Sequence, residues 1–165
     1  MKMLLERVKC MEANFKLFLD SNIVIETIKK NPSDKHIEAR RILELILKKF
    51  LFIHSIMVNL VVWDEVIYHL ISKGKAHDIN FVAEYLKSLF ALFDWVDVTE
   101  DVAFKALDLM LAYGLKPHDA LILSTCMLRK IDFLISLDED FIGVCEKERI
   151  FLVNSADMLL KLLEN

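Results

Sequence analysis

Three acidic residues lie where a folded chain can bring distant carboxylates together. Asp20 directly follows the apolar run Phe15–Leu19, and Asp138 follows a second apolar run, Phe133–Ser136. Asp119 lies in the first turn of a helix that the sequence predicts. Carboxylates that converge bind a cation or take up protons. Each acid also has an ordinary explanation, because aspartate is favoured as a helix cap and in the first turn of a helix.

A fourth acid, Glu65, cannot be explained as a helix cap. It falls in the middle of a predicted helix, Met57–Ser72, on the same face as apolar residues such as Val62. A carboxylate among apolar neighbours is costly unless it pairs with a cation or binds a metal ion, so we expect one of these two partners. Asp64 has similar neighbours, and helical spacing alone does not choose between the two acids.

Alternating short strands and helices must position these acids. The apolar runs predict five strands with helices between them, at residues 15–19, 50–54, 95–98, 133–136 and 150–153. Three glycines and two prolines are too few for the turns of an all-β fold. The expected fold class is α/β, a three-layer α/β/α arrangement with a mostly parallel sheet of about five strands. Sites in such sheets form beyond the carboxyl ends of the strands.

The chain has the size and composition of one globular domain. It has 165 residues, of which 55% are hydrophobic and 28% charged, and its mean hydropathy is +0.38. These values exclude a disordered chain. We expect a single domain at residues 15–165. Residues 1–14 are expected to be an extra segment that is disordered or precedes a natural start at Met11.

We expect neither a membrane span nor an export signal. The longest apolar stretch, Phe50–Trp63, contains three polar residues and falls short of the ~18–20 residues that a span requires. The charged N-terminal segment lacks the apolar core of a signal peptide. The three cysteines have no metal-binding spacing and fit reduced thiols, so the expected location is the cytoplasm.

The net charge of −4 conceals a basic segment. Between Lys29 and Lys49 there are seven basic residues and three acidic ones, a local balance of +4. Such a segment suits the phosphate backbone of a nucleic acid, while a solvated helix face explains it equally well. The candidates for phosphate contact are Lys29, Lys30, Lys35, Arg40 and Arg41.

Four segments of the sequence resemble the PIN-domain nucleases and, among these, the VapC-like toxins of toxin–antitoxin pairs. They are LDSNIVIE at 19–26, DEVIYHLIS at 64–72, GLKPHDALILSTCMLRKIDFLISLDEDF at 114–141 and IFLVN at 150–154. The third segment is the most specific, because it combines an Asp-Ala helix start with a strand, a hydroxyl residue and two spaced aspartates. The resemblance covers about residues 15–154, nearly the whole domain.

The resemblance implies that the active-site acids are Asp20, Glu65, Asp119 and Asp138. The residues after Glu65 match the family pattern, which favours it over Asp64. The implied supporting residues, one of them a serine where the family more often has threonine, are Ser21, Asn22, Ser136 and Asp140.

Four converging carboxylates predict a divalent metal ion. They repel one another and take up protons at neutral pH unless a cation neutralises them. Ligands that are all oxygen select a hard ion, so we expect Mg²⁺ or Mn²⁺ at Asp20, Glu65, Asp119 and Asp138. Such an ion activates water and stabilises the charge of an attacked phosphodiester. In the family the substrate is RNA, so the expected activity is that of a metal-dependent endoribonuclease.

The resemblance also implies partners and leaves other functions open. VapC-like proteins form homodimers and are inhibited by a small antitoxin protein, so we expect both partners. The alternatives are a PIN-domain nuclease of RNA processing without an antitoxin, and a catalytically idle PIN fold used for binding. A phospho-aspartyl phosphohydrolase is disfavoured, because Asn22 stands where that class needs a second aspartate. His118 is an acid–base candidate that the family does not require, and a surface position explains it more simply.

Overall fold

One parallel sheet forms the centre of the protein. The computed structural model describes residues 15–29, 33–51, 54–73 and 79–163. The strands are β1 (Lys16–Leu19), β2 (Ser55–Asn59), β3 (Asp94–Val96), β4 (Phe133–Ile135) and β5 (Phe151–Val153). Their order across the sheet is β3-β2-β1-β4-β5, and each neighbouring pair is parallel. The predicted parallel sheet of five strands is confirmed.

Helices in the described ranges connect the strands and cover the sheet. They are α1 (Ser21–Ile28), α2 (Asp34–Leu45), α3 (Leu60–Lys73), α4 (Ile79–Phe90), α5 (Glu100–Tyr113), α6 (Pro117–Leu128), α7 (Asp140–Glu148) and α8 (Ala156–Leu163). Helix α1 packs on α2 and α3, and α2 packs on α8, while α6 packs on α5 and α7. The chain moves across the sheet in one direction up to β3 and in the other direction after it. Right-handed crossovers therefore place the helices between β1 and β3 on one face and the helices between β3 and β5 on the other. The predicted three-layer class is confirmed.

The strand order reverses at the junction of β1 and β4. The chain leaves β1 toward β2 and β3, and then returns on the other side of β1 to form β4 and β5. Leu19 pairs with Ile135, and the backbone N–H of Asp20 donates to the carbonyl of Ile135 at 3.0 Å. The residues after these two strands therefore lie side by side, where parallel α/β sheets form their sites.

The prediction of a strand at residues 50–54 is wrong. Helix α2 continues through a π-helical turn, Ile46–Phe50, and strand β2 occupies Ser55–Asn59. Helix α3 begins at Leu60, three residues later than predicted. The end of one helix, a strand and the start of another helix share the mostly apolar stretch Phe50–Trp63, and its three polar residues do not show which apolar segment is the strand.

Buried Asn59 fixes α3 at its first turn. Its side-chain oxygen accepts from the N–H of Val62 at 3.1 Å, and its amide nitrogen donates to the hydroxyl of Thr125 on α6 at 3.2 Å. Because an unpaired amide in the core is costly, both contacts hold the side chain in place. Asn59 thus joins the two helices that carry Glu65 and Asp119.

The remaining predicted strands overlap the observed ones, with each end within two residues. No helix in the described ranges combines the length and apolar composition that crossing a bilayer requires. The predicted extra segment at residues 1–14, including Met11, lies outside the described residues.

Candidate functional site

Asp20 lies buried at the end of β1 and is surrounded by hydrogen-bond donors. Its Oδ1 atom accepts from the backbone N–H of Ser21 at 2.7 Å. Its Oδ2 atom accepts from the hydroxyl of Ser136 at 2.6 Å and from Nδ2 of Asn22 at 2.5 Å. Three of the predicted supporting residues therefore contact Asp20. The contact with Ser21 also bears out the simpler explanation of Asp20 as the residue that caps α1.

A hydrogen-bond network ties the loop after β4 to the start of α1. The hydroxyl of Ser136 donates to Asp20, so it accepts the bonds from Nδ2 of Asn22 (2.8 Å) and from the backbone N–H of Asp138 (3.0 Å). The side-chain oxygen of Asn22 accepts from the backbone N–H of Leu137 at 3.1 Å. The network fixes where the chain places Asp138 relative to Asp20.

Three carboxylates converge beside this network and are called the acidic trio: Asp119, Asp138 and Asp140. One carboxylate oxygen from each lies within 4.8 Å of the other two. Asp119 comes from the first turn of α6, Asp138 from the loop after β4 and Asp140 from the first position of α7. The buried Oδ2 atom of Asp119 has no hydrogen-bond partner. An unpaired buried oxygen among carboxylates is suited to binding a cation.

Burial and mutual repulsion raise the pKa values of two site acids. Burial, opposed by the bond from Ser136 and reinforced by repulsion from Glu65 and Asp119, raises the pKa of Asp20 to about 7. Burial and repulsion, chiefly from Asp138, raise the pKa of Asp119 to about 6. Glu65 contributes to both shifts, so its charge acts on the same site. The four acids expected from the sequence thus share one electrostatic environment, which favours protons or a cation.

Glu65 faces α6, while its neighbour Asp64 is exposed. Oε1 of Glu65 lies 2.9 Å from Nδ1 of His118. This contact involves Glu65, and the choice of Glu65 over Asp64 stays a prediction. The contact also gives His118 a partner that the sequence did not indicate, since a surface position was the simpler expectation for this residue.

Lys116 is the second site residue that sequence reasoning missed. Its Nζ atom lies 2.7 Å from Oδ2 of Asp140, which the sequence placed among the supporting residues rather than with the principal acids. Lys116 and His118 flank Pro117 directly before Asp119. The available signal was the i,i+3 spacing of Lys116 and Asp119, because residues at that spacing lie on one face of a helix.

An open groove of about 420 Å³ lies next to Glu65 and His118. Aromatic, polar and apolar side chains from α1, α3 and α6 line it: Ile25, Asp64, Glu65, Tyr68, His69, Ser72 and His118.

The basic residues expected to contact RNA are partly engaged elsewhere. Lys29 forms an ion pair with Glu26, and Arg41 forms one with Asp157 on α8 at 2.9 Å. Their role in RNA binding stays a prediction. Of the other three candidates, Lys35 and Arg40 are exposed, and Lys30 lies outside the described ranges.

Comparison with known proteins identifies the class. Residues 17–147 match the PIN domain, so the chain belongs to the PIN domain family. All four acids expected at the active site fall within the matched residues. The chain is 33% identical over 142 residues to ribonuclease VapC2 of Methanocaldococcus jannaschii, a match that covers 79% of this chain and 89% of that protein.

Solved structures share the fold at lower identity. The structure of VapBC2 from Rickettsia felis bound to a promoter DNA fragment matches with a TM-score of 0.59 at 20% identity, over 83% of this chain and 96% of that one. The sarcin–ricin loop cleaving toxin VapC20 of Mycobacterium tuberculosis matches with a TM-score of 0.62 at 18% identity, over 78% and 94% of the two chains.

Proposed function

We propose that this protein is a divalent-metal-dependent endoribonuclease and the toxin of a VapBC-type toxin–antitoxin pair. The observation that carries the proposal is the acidic trio, with the unpaired buried oxygen of Asp119, at the strand-order reversal of a PIN domain. The relationship to ribonuclease VapC2 supports RNA as the substrate.

The donor atoms at the site fit a hard divalent cation. Asp119 and Asp138 would hold the ion, and Glu65 is close enough to act electrostatically on both Asp119 and Asp20. All of these ligands are carboxylate oxygens, the type that Mg²⁺ and Mn²⁺ prefer. When bound, the ion supplies a water of lowered pKa and neutralises charge on the attacked phosphate.

The protein's own residues orient the reaction and manage its proton. Attack of water on a phosphodiester releases a proton, and the surrounding carboxylates are the groups that can accept it. Asp20 is held by bonds from Ser21, Asn22 and Ser136, so it keeps one orientation beside Asp119. Glu65 and His118 line an open groove, and we propose that an RNA strand enters there.

Incubation of the purified protein with mixed structured RNAs tests the activity. We expect cleavage with Mg²⁺ or Mn²⁺ and none after EDTA is added. Asp119→Asn is expected to slow cleavage at least about a hundredfold, because it removes a carboxylate that neutralises the ion.

The matched control for this substitution is Asp108→Asn, which changes an exposed aspartate on α5 in the same way. It should cleave like the unchanged protein. Cleavage that survives EDTA and Asp119→Asn would contradict the metal-dependent mechanism. RNA that is bound but never cleaved would favour the idle binding fold instead.

We also propose two protein partners, a second copy of the chain and an antitoxin. Helices α3, α4 and α5 expose large apolar side chains that a partner would cover: Leu60, Ile71, Phe81, Leu107 and Leu111. Where such side chains form a contiguous patch, the patch is typical of an interaction surface.

Light scattering of the purified protein should give twice the 19.2 kDa mass of one chain. Coexpression with the reading frame directly upstream of its gene should yield a small protein that co-purifies and stops RNA cleavage. A mass of one chain at micromolar concentration would contradict the homodimer, and cleavage unaffected by the coexpressed product would contradict the antitoxin.

A further inference from the structure

Lys116 places a positive charge next to the acidic trio. Its Nζ atom lies 2.7 Å from Oδ2 of Asp140, and Asp140 is close enough to Asp119 and Asp138 to share a cation with them. A divalent ion that bound all three acids would therefore meet the ammonium group at Asp140. A carboxylate oxygen that is paired with an ammonium group binds a metal ion more weakly, because the two positive charges repel each other.

The backbone holds Lys116 at this position. Pro117 follows it, and a residue before proline is restricted to extended conformations. Lys116 accordingly has φ −65° and ψ 153°, and its carbonyl accepts from the N–H of Ala120 at 2.9 Å in the first turn of α6. The lysine is thus anchored one helical turn from Asp119.

The three acids of the trio differ in their surroundings. Oδ2 of Asp119 is buried and unpaired, and Asp138 is half-buried with Oδ1 accepting from the backbone N–H of Asp140 at 2.9 Å. The side chain of Asp140 is exposed and already has a cation partner. Three carboxylates and one ammonium carry a formal charge of −2, which one divalent ion balances.

We propose that Lys116 is a positioning residue that competes with the divalent ion for Asp140. The inference rests on the proposed metal site. Because Lys116 pairs with the carboxylate of Asp140, the ion is restricted to Asp119 and Asp138, on the side of the trio that adjoins Asp20. Asp140 then contributes charge to the site but little to metal binding.

Titration with Mn²⁺, with free ion followed by electron paramagnetic resonance, tests the competition without relying on RNA cleavage. Asp140→Asn alone should change the Mn²⁺ dissociation constant less than about twofold, because its carboxylate is already paired. Lys116→Met should tighten Mn²⁺ binding about fivefold or more, as expected for two groups in contact. Adding Asp140→Asn to Lys116→Met should abolish this gain, whereas Lys116→Arg should keep the unchanged protein's affinity.

The pair Lys87 and Glu84 on α4 provides the matched control. Its atoms lie 2.6 Å apart and its side chains are similarly exposed. Lys87→Met and Glu84→Gln should leave Mn²⁺ affinity unchanged. Circular dichroism melting checks that each variant is folded, which we expect because the substituted side chains are exposed.

Two results would overturn the competition. One is Asp140→Asn weakening Mn²⁺ binding as much as Asp138→Asn does, and the other is Lys116→Met leaving the affinity unchanged. If Asp119→Asn abolishes Mn²⁺ binding in either case, the proposed metal site stands and only the role of Lys116 fails. If the unchanged protein binds no Mn²⁺, both fail.

Discussion

At the scale of single residues, the hydroxyl of Ser136 connects three parts of the site. It donates to Asp20 and accepts from Asn22 and from the N–H of Asp138. Ser136→Ala removes a donor to Asp20 and leaves the N–H of Asp138 without an acceptor, while Nδ2 of Asn22 still donates to Asp20. The free energy of unfolding should therefore fall by about 2 kcal/mol. RNA cleavage should slow about tenfold or more, because Asp20 and Asp138 lose their alignment. Urea unfolding and initial cleavage rates measure the two effects.

Ser124 offers a matched control for this substitution. It is as buried as Ser136, but it lies on α6 and its hydroxyl donates to the backbone carbonyl of Leu121 at 3.1 Å. Ser124→Ala should cost less than about 1 kcal/mol and leave cleavage unchanged. Ser136→Thr, which keeps the hydroxyl, should cleave faster than Ser136→Ala. Equal cleavage by the two alanine variants would show that Ser136 does not align the site.

The sequence predicted the acids that follow strands better than it predicted their partners. Asp20 and Asp138 could be found because parallel strands end at one edge of a sheet, whatever the side-chain conformations are. The pairing of Lys116 with Asp140 depends on the rotamers of two exposed side chains and on the course of the loop after β4. No residue spacing encodes that geometry. The grouping of Asp140 with Asp119 was missed for the same reason.

At the scale of elements, the ends of a strand can be predicted from the sequence where polar residues mark them clearly. Strands β1 and β4 are buried apolar runs that end at Asp20 and Ser136, so their ends could be predicted within two residues. Strand β2 is bounded by the polar residues His54 and Asn59, but the prediction took His54 as the end of a strand and Asn59 as part of a helix. The prediction failed where isolated polar residues left two ways to divide an apolar stretch, and it succeeded where a cluster of polar residues follows the strand.

Asn59 lies at the junction of β2 and α3 and helps to position two residues of the site. In the sequence it is a polar interruption of an apolar stretch, which argued against a membrane span. In the fold it ends β2, caps α3 and bonds to Thr125 on α6. These contacts set the separation of α3 and α6, and hence the meeting of Glu65 with His118. A tertiary hydrogen bond between residues 59 and 125 leaves no trace in local sequence.

At the scale of the whole molecule, the acidic composition reflects the site in part. The formal net charge of −4 includes five acids near one edge of the sheet: Asp20, Glu65, Asp119, Asp138 and Asp140. A divalent ion would bring the total to about −2. The acidic balance is therefore compatible with an RNA substrate, because much of it lies where the proposed ion binds.

The same acids should make the metal-free protein less stable as pH rises. Burial raises the pKa of Asp20 to about 7 and that of Asp119 to about 6, so the folded state holds protons that the unfolded state releases. Their contribution to stability is complete below about pH 4 and is lost as pH rises through these values. Burial lowers the pKa of His54, so the unfolded state binds a proton at this residue more readily than the folded state does. His54 therefore lowers the stability as pH falls below about 6.5, which is opposite to the effect of the two acids.

Between pH 6.5 and 8, the unfolded His54 loses its remaining proton, which partly offsets the effect of the raised carboxyls. Without divalent ions, the free energy of unfolding should still fall by about 0.5 kcal/mol across this range, mostly through Asp20. Urea unfolding at several pH values measures it. Asp20→Asn should flatten the slope, Asp108→Asn should not, and saturating Mn²⁺ should reverse the loss because the ion binds the ionised acids. A slope that persists in Asp20→Asn would mean that other groups cause it.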